Sequence, residues 1–190
     1  TYGSPSQSLP FHVGEKNYRE HVLNLKKELY NLSKVRMYQY GNEIRLKFCS
    51  LVIATFYHDV LKFPIGKKSD IVRIPKIILN AKDPKILASC IRGIVDTDFH
   101  VRIKTNGYRQ ISAHMSSKNL IQDMSMALKR LGINHTAVFD VEKFDKRDNR
   151  EYKMHHMYIS GYQRFDEYVK KIGFSNEKNI QKIKNGPGWI

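Results

Sequence analysis

The feature that most constrains this chain is that its pattern occurs twice. His12-Val13 followed by Lys16-Asn17 returns as His114-Met115 followed by Lys118-Asn119, an offset of 102 residues, and Leu29 returns as Leu131 at the same offset. Further on, Ser50 and Ser160 stand 110 apart, and Phe63 and Phe174 stand 111 apart. The element order strand, helix, hairpin, helix is shared by both stretches. Common order at nearly constant offsets, the extra residues falling in the second hairpin loop, points to duplication of one folding unit.

In the first copy, Leu9 to Val13 reads as a short strand. Glu15 to Tyr30 reads as an amphipathic helix with Tyr18, Val22, Leu25 and Leu29 on one face. Val35 to Tyr40 and Glu43 to Phe48 form a hairpin turning at Gly41-Asn42. Ser50 then caps a helix running to about Leu61. A connecting region, Phe63 to Leu79, holds a short Ser69 to Ile74 segment, and Pro75 limits helix continuation.

In the second copy, His100 to Lys104 and Tyr108 to Met115 alternate and turn at Asn106-Gly107, a strong hairpin signal. Ser117 to Leu131 is a helix with Leu120, Ile121, Met124, Leu128 and Leu131 facing inward, stopped by Gly132. Thr136 to Val141 and Lys153 to Ile159 pair across a charged loop, Glu142 to Arg150. Ser160 caps a helix whose inner face is Phe165, Tyr168, Val169 and Ile172. It ends at Gly173, and Ser175 starts a last short helix.

Between the copies, Asp83 to Phe99 (DPKILASCIRGIVDTDF) reads as one helix. Asp83 suits the N-cap and Pro84 the first turn. Leu87, Ile91 and Ile94 recur at helical spacing, and Ser89, Gly93 and Thr97 form a stripe of small residues. Asp96 and Asp98 end the helix, where the macrodipole disfavours negative charge. Carboxylates kept at such a place suggest a cation. At the repeat offset, the first copy's equivalent of this helix would precede Thr1.

Charge narrows the partners. Lys and Arg number 33 against 18 Asp and Glu, a formal net charge of +15, and the sequence pI is about 9.8. That excess asks for a polyanion. No apolar run approaches the ~20 residues that span a bilayer, and no signal peptide is visible, so nucleic acid is expected rather than a membrane. Cys49 and Cys90 lie in apolar surroundings and read as reduced core residues of an intracellular protein. No CxxC pair exists to build a zinc site.

Ile91-Arg92-Gly93-Ile94-Val95-Asp96-Thr97-Asp98-Phe99 resembles the LAGLIDADG motif of homing endonucleases. Ser117 to Ile133 and Ile159 to Ile180 are similar to the family's later elements in the expected order. Phe63 to Leu79 is similar to the link between halves in its two-copy members. The resemblance covers nearly the whole chain. It implies an α+β fold of two αββαββα halves about a pseudo-twofold axis, residues 1–79 and 80–190, forming a DNA-binding saddle. The first helix of the first half is missing.

The resemblance further implies a site-specific endonuclease that hydrolyses double-stranded DNA with Mg²⁺ or another divalent cation. Carried over by position, Asp98 is the metal-binding acid, and the Thr97 carbonyl helps hold the metal. Asp96 supports the helix end. Lys118 and Lys16 belong to the phosphate or water network around the reaction. Arg36, Arg45, Lys47, Arg102, Lys104 and Arg109, on or beside the hairpins, are the candidate DNA contacts, because a two-stranded ribbon fits the major groove and basic side chains neutralise phosphates.

Three departures stand out. Phe99 replaces the motif's final glycine. Tyr162 occupies a place where the family often has lysine, and Leu51 or Val52 does so in the first copy. Only one motif helix is present. These motivate a second reading, a DNA- or RNA-binding module that does not cut, such as a splicing helper. They also allow a second chain to supply the other helix. His155-His156 lies in a strand with its side chains facing opposite ways, a poor spacing for joint metal binding. His12, His100, His114 and His135 read as sheet-face polar groups or DNA contacts.

Overall fold

The computed structural model describes residues 8–13, 24, 28, 35–41, 43–49, 51–64 and 69–186. Two compact units divide the chain: residues 1–62 with 176–178, and residues 63–175 with 179–190.

In the first unit, strands β1 (Ser8–Val13), β2 (Val35–Tyr40) and β3 (Glu43–Cys49) form an antiparallel sheet in the order β1-β3-β2. The β2–β3 turn falls at Gly41, where φ is 57°, a conformation glycine adopts without a Cβ penalty. Helix α1 (Leu51–Thr55) continues as a π-helical turn, Phe56–Val60. The predicted helix over 15–30 and the cap at Ser50 lie outside the described residues, apart from Asn24 and Glu28, which are helical.

The second unit begins in the connecting region. The Ser69 to Ile74 stretch is a turn followed by extended chain, and Pro75 heads a one-turn helix, α2 (Lys76–Leu79), which the sequence did not suggest. Helix α3 (Pro84–Asp98) starts as expected, with the Asp83 carboxylate accepting from Lys85 N at 2.8 Å and proline in the first turn. Strands β4 (His100–Ile103) and β5 (Arg109–Met115) follow, then α4 (Lys118–Arg130), capped by the Ser117 hydroxyl on Leu120 N.

Strands β6 (Thr136–Asp145) and β7 (Arg150–Ser160) are longer than predicted. The charged stretch read as a loop is strand on both sides of a tight turn. Helix α5 (Tyr162–Lys171) is capped by Gly161, not Ser160, which is the last residue of β7. Helix α6 (Glu177–Lys184) closes the described chain.

The second sheet has the order β4-β5-β7-β6. Helices α3, α4 and α5 supply Leu87, Ile91 and Val95, then Ile121, Met124 and Leu128, then Phe165 and Tyr168. All are buried with Val101, Ile111, Met157 and Ile159 of the sheet. The connecting region is fastened to α4. Buried Asp123 accepts from Arg73 Nε and Nη2 and from Ile74 N, and Ser117 Oγ donates to Val72 O.

The repeat survives in the hydrogen-bond register. Ser8 pairs with Cys49 as Gln110 pairs with Ser160, and Val13 pairs with Ile44 as Met115 pairs with His155. All six β1–β3 pairs map onto the six β5–β7 pairs at offsets of 102 and 111. Ser160 is thus the counterpart of Cys49, one residue away from the match made on serines. Each unit keeps the same three-strand order, β1-β3-β2 and β5-β7-β6.

Candidate functional site

The two acids at the end of α3 have different environments. Asp96 is buried. Its Oδ2 accepts from Ser175 N at 2.6 Å and its Oδ1 from Asn179 Nδ2 at 3.2 Å. It ties the helix end to the start of α6, as the sequence reading assigned it. Asp98, two residues on, is exposed. Thr97 is exposed as well, and its hydroxyl donates back to Gly93 O and Ile94 O. That leaves the Asp98 carboxylate on the surface in the last helical turn, where backbone carbonyls lack intrahelical donors.

Hard oxygen ligands of this kind fit Mg²⁺. That ion commonly takes one or two carboxylates and completes its shell with waters and substrate phosphates. Asp98 with the Thr97 carbonyl would hold such an ion, whereas Asp96 is committed to α6. Among the described residues, no group of three His, Cys, Asp or Glu side chains could hold a metal.

The strand alternation sorts the basic candidates. On β5, Ile111 and Ala113 face the helices, and Gln110, Ser112 and His114 face away. Arg102 on β4 is exposed, as is Lys104 in the hairpin, whose ammonium lies 5.3 Å from the Tyr108 ring centre. Arg109 is the correction. It shares the inward phase of Ile111, is 3% exposed, pairs with Asp166 at 2.8 Å and stacks on Tyr162. Its charge is held inside the unit, so it is not a groove contact.

In the first unit Arg36 is exposed on β2. Arg45 on β3 is half-buried, with its guanidinium 4.9 Å from the Tyr40 ring centre. Lys47 pairs with Arg36 in the ladder; its side chain and the whole of Lys16 lie outside the described residues. Lys118, at the first position of α4, meets Asp140 Oδ2 at 2.5 Å.

Residues that the sequence reading did not bring together are joined on the open sheet face. His114 and His156 sit opposite each other on β5 and β7 with ring centres 4.1 Å apart. The Tyr158 hydroxyl lies 3.2 Å from His114 Nε2 and 3.0 Å from His156 Nδ1. Burial, together with neighbouring His114 and Lys143, pushes the His156 pKa below its ordinary value. His155 faces the other way, as predicted. Its Nδ1 accepts from Asp140 N at 3.1 Å, and burial lowers its pKa too. The period of two set by Ile111 and Ala113 was the signal that could have placed His114, His156 and Tyr158 on one face.

Tyr162, at the place where the family often has lysine, packs on the first hairpin of this unit. Its hydroxyl donates to Asn106 O at 3.3 Å. Gly107, at φ 81°, lies beneath it, and a Cβ there would come within 2.1 Å of the Tyr162 oxygen. No described helix is long and apolar enough to cross a membrane.

Residues 85–173 match the family model described as the LAGLIDADG-like domain. Three curated proteins of Methanocaldococcus jannaschii are similar. A probable translation initiation factor IF-2 is 30% identical over 175 residues, covering 88% of this chain and 14% of that protein. A replication factor C small subunit is 26% identical over 94% of this chain and 9% of its own length. A glutamine–fructose-6-phosphate aminotransferase is 24% identical over 89% and 15%. The chain therefore spans less than a sixth of each relative.

Among solved structures, the homing endonuclease I-DmoI in complex with DNA and Mn aligns with a TM-score of 0.57 and 16% identity, covering 88% of this chain and 81% of that one. The N-terminal LAGLIDADG domain of DUF199/WhiA aligns at 0.52 and 12% identity, covering 89% and 74%. These likenesses share the fold. Residues 85–173 thus carry a LAGLIDADG-like domain, and the fold is that of the LAGLIDADG homing endonucleases.

Proposed function

We propose that this chain is a site-specific homing endonuclease domain that hydrolyses phosphodiester bonds in double-stranded DNA with a divalent cation. The observation that carries this reading is the divided acid pair of α3. Asp96 is buried in the fold, and Asp98 is held on the surface in the same helical turn. The solved relatives include complexes with DNA and Mn and with DNA and Ca. Mg²⁺ bound here would activate water and stabilise a leaving oxygen. The chain's own residues hold and orient. Asp98 and the Thr97 carbonyl would hold the cation. Lys118, with Lys16 in the first copy, contacts the reacting phosphate or its waters. Arg36, Arg45, Lys47, Arg102 and Lys104 neutralise the DNA backbone, and the polar open face of the second sheet meets the groove.

The three curated relatives support mobility. A translation factor, a replication factor subunit and an aminotransferase have no common activity, yet each contains a stretch of about this length similar to nearly the whole chain. A segment shared by unrelated hosts reads as an insert that moves, in the manner of an intron or intein, and the hosts' activities do not come with it. An insert acting on genomic DNA works inside the cell.

The open side of α3 fits a further helix. Ser89, Gly93 and Thr97 are exposed, and a Cβ added to Gly93 would meet nothing within 4 Å. A second motif helix, from a longer form of this protein or from a second chain, would pack there and bring a second acid.

A second reading, a DNA- or RNA-binding module that does not cut, is favoured by Tyr162, which stacks with Arg109 in place of a lysine. Incubation with Mg²⁺ and a plasmid library separates the two. The endonuclease reading expects cutting at a defined site, and an Asp98→Asn variant that binds DNA but cuts at least ~100-fold more slowly, as loss of a metal's several kcal/mol requires. Tight binding by the parent with no cutting selects the second reading. Unchanged cutting by Asp98→Asn removes Asp98 from the metal.

A further inference from the structure

The β6–β7 ladder contains one irregularity. Val138 pairs with His156 and Val141 with Met154, so Phe139 and Asp140 together face His155. This is a β-bulge, and Asp140 within it has φ 57°, a left-handed conformation that non-glycine residues rarely take. The corresponding β2–β3 ladder of the first unit runs without a shift from Val35 to Tyr40. The bulge is therefore specific to the second copy.

Two contacts fix it. The Asp140 amide donates to Nδ1 of buried His155 at 3.1 Å, and Oδ2 accepts from Lys118 Nζ at 2.5 Å. Lys118 opens α4, where the helix dipole works against a cation. A lysine placed there does not serve the helix, and the carboxylate that compensates it is delivered by a strained residue. Strain of this kind persists where the surroundings over-determine it, and it clusters at functional sites.

We propose that Asp140 is a positioning residue for Lys118: the bulge sets its carboxylate on the ammonium and holds that charge in one place for a phosphate oxygen of DNA. This rests on the reading of Lys118 as a phosphate contact. An ammonium has three N–H groups, so donating one to Asp140 leaves two to direct. The competing role, simple neutralisation of surface charge, makes the opposite prediction. Removing a carboxylate from a chain with a net charge of +15 should strengthen DNA binding.

The test is the salt dependence of DNA affinity for the full chain and for Lys118→Met, Asp140→Asn and the double variant. Asparagine tolerates the left-handed conformation and keeps the amide donor to His155. Asp148→Asn, on the exposed hairpin turn, is the charge-matched control. Loss of one phosphate contact lowers the slope of log affinity against log salt by about 0.9. The expected result is that decrease for Lys118→Met, the same decrease for Asp140→Asn, no further decrease for the double variant, and none for Asp148→Asn.

An Asp140→Asn variant that keeps the parent slope, or binds more tightly as Asp148→Asn does, overturns the proposal. So does a double variant in which the two losses add. If the parent binds DNA and Lys118→Met leaves its slope unchanged, the Lys118 reading falls and the proposal with it. If the parent binds no DNA, it is the proposed function that fails.

Discussion

The second unit has an inner face and an open face, and they differ in what their residues are committed to. Along α3 the inner face is Leu87, Ile91, Val95 and Asp96, all buried, while Ser89, Gly93, Thr97 and Asp98 are exposed. Along β5 and β7 the inner face is Ile111, Ala113, Met157 and Ile159, and the open face is Gln110, Ser112, His114, His156 and Tyr158. Residues of one chemical type fall on both sides. Asp96 and Arg109 are buried while Asp98 and Arg102 are exposed, and His155 faces inward while His114 and His156 share the other face. Residue type therefore does not locate the site; phase does.

The largest effect should come from breaking the aspartate pair. Asp96→Ala leaves Ser175 N and the Asn179 amide without their acceptor in a buried place and should cost about 2–3 kcal/mol of stability. Asp98→Ala should stay within about 0.5 kcal/mol, as surface substitutions usually do. Urea unfolding of the two variants measures both, and equal losses would erase the distinction between the faces.

The arginines should separate next. Arg109→Ala removes the ion pair to Asp166 and the packing on Tyr162, at about 2 kcal/mol. Arg102→Ala should leave the urea midpoint in place and lower the salt slope of DNA binding by about 1. A smaller effect sharpens the helix comparison. Gly93→Ala, on the open side with nothing near the added Cβ, should raise stability by about 0.5–1 kcal/mol. A second helix packed on that side would cancel the gain.

The histidine pair gives the mildest test. His155 and His156 both have folded pKa values below the ordinary 6.5, chiefly through burial. A group whose folded pKa is depressed favours the folded state while it is neutral. Stability from these two is therefore complete above pH 6.5 and is lost as pH falls below it through their folded values. Asp140 works against the shift at His155, whereas Lys118 and Lys153 add to it; His114 and Lys143 add to the shift at His156. Unfolding midpoints between pH 7.5 and 5 should fall with acidity in the parent and fall less in His155→Gln.

Much of this was legible because local signals agreed. Asp83-Pro84, Ser117 and Gly132 punctuate helices by their own backbone chemistry, and Asn106-Gly107 does the same for the hairpin. The repeat was legible in His12 and His114, whose strand register proved to be shared. The strands through 142–153 were not legible. Phe144, Lys146 and Arg150 are exposed, so that part of the hairpin has no inner phase to read. Arg109 reads as a surface contact by its charge, whereas its phase with Ile111 sets it inside. The Asp140 bulge has no sequence signature at all, since it depends on His155 across the ladder.

The length of that hairpin sets a reach. β7 runs for 11 residues, which at about 3.3 Å per residue is roughly 36 Å. One turn of B-form DNA rises about 34 Å. On the endonuclease reading, β7 matches the axial rise of about ten base pairs, but the groove winds round the axis, so this arm would stay in it for only part of a turn.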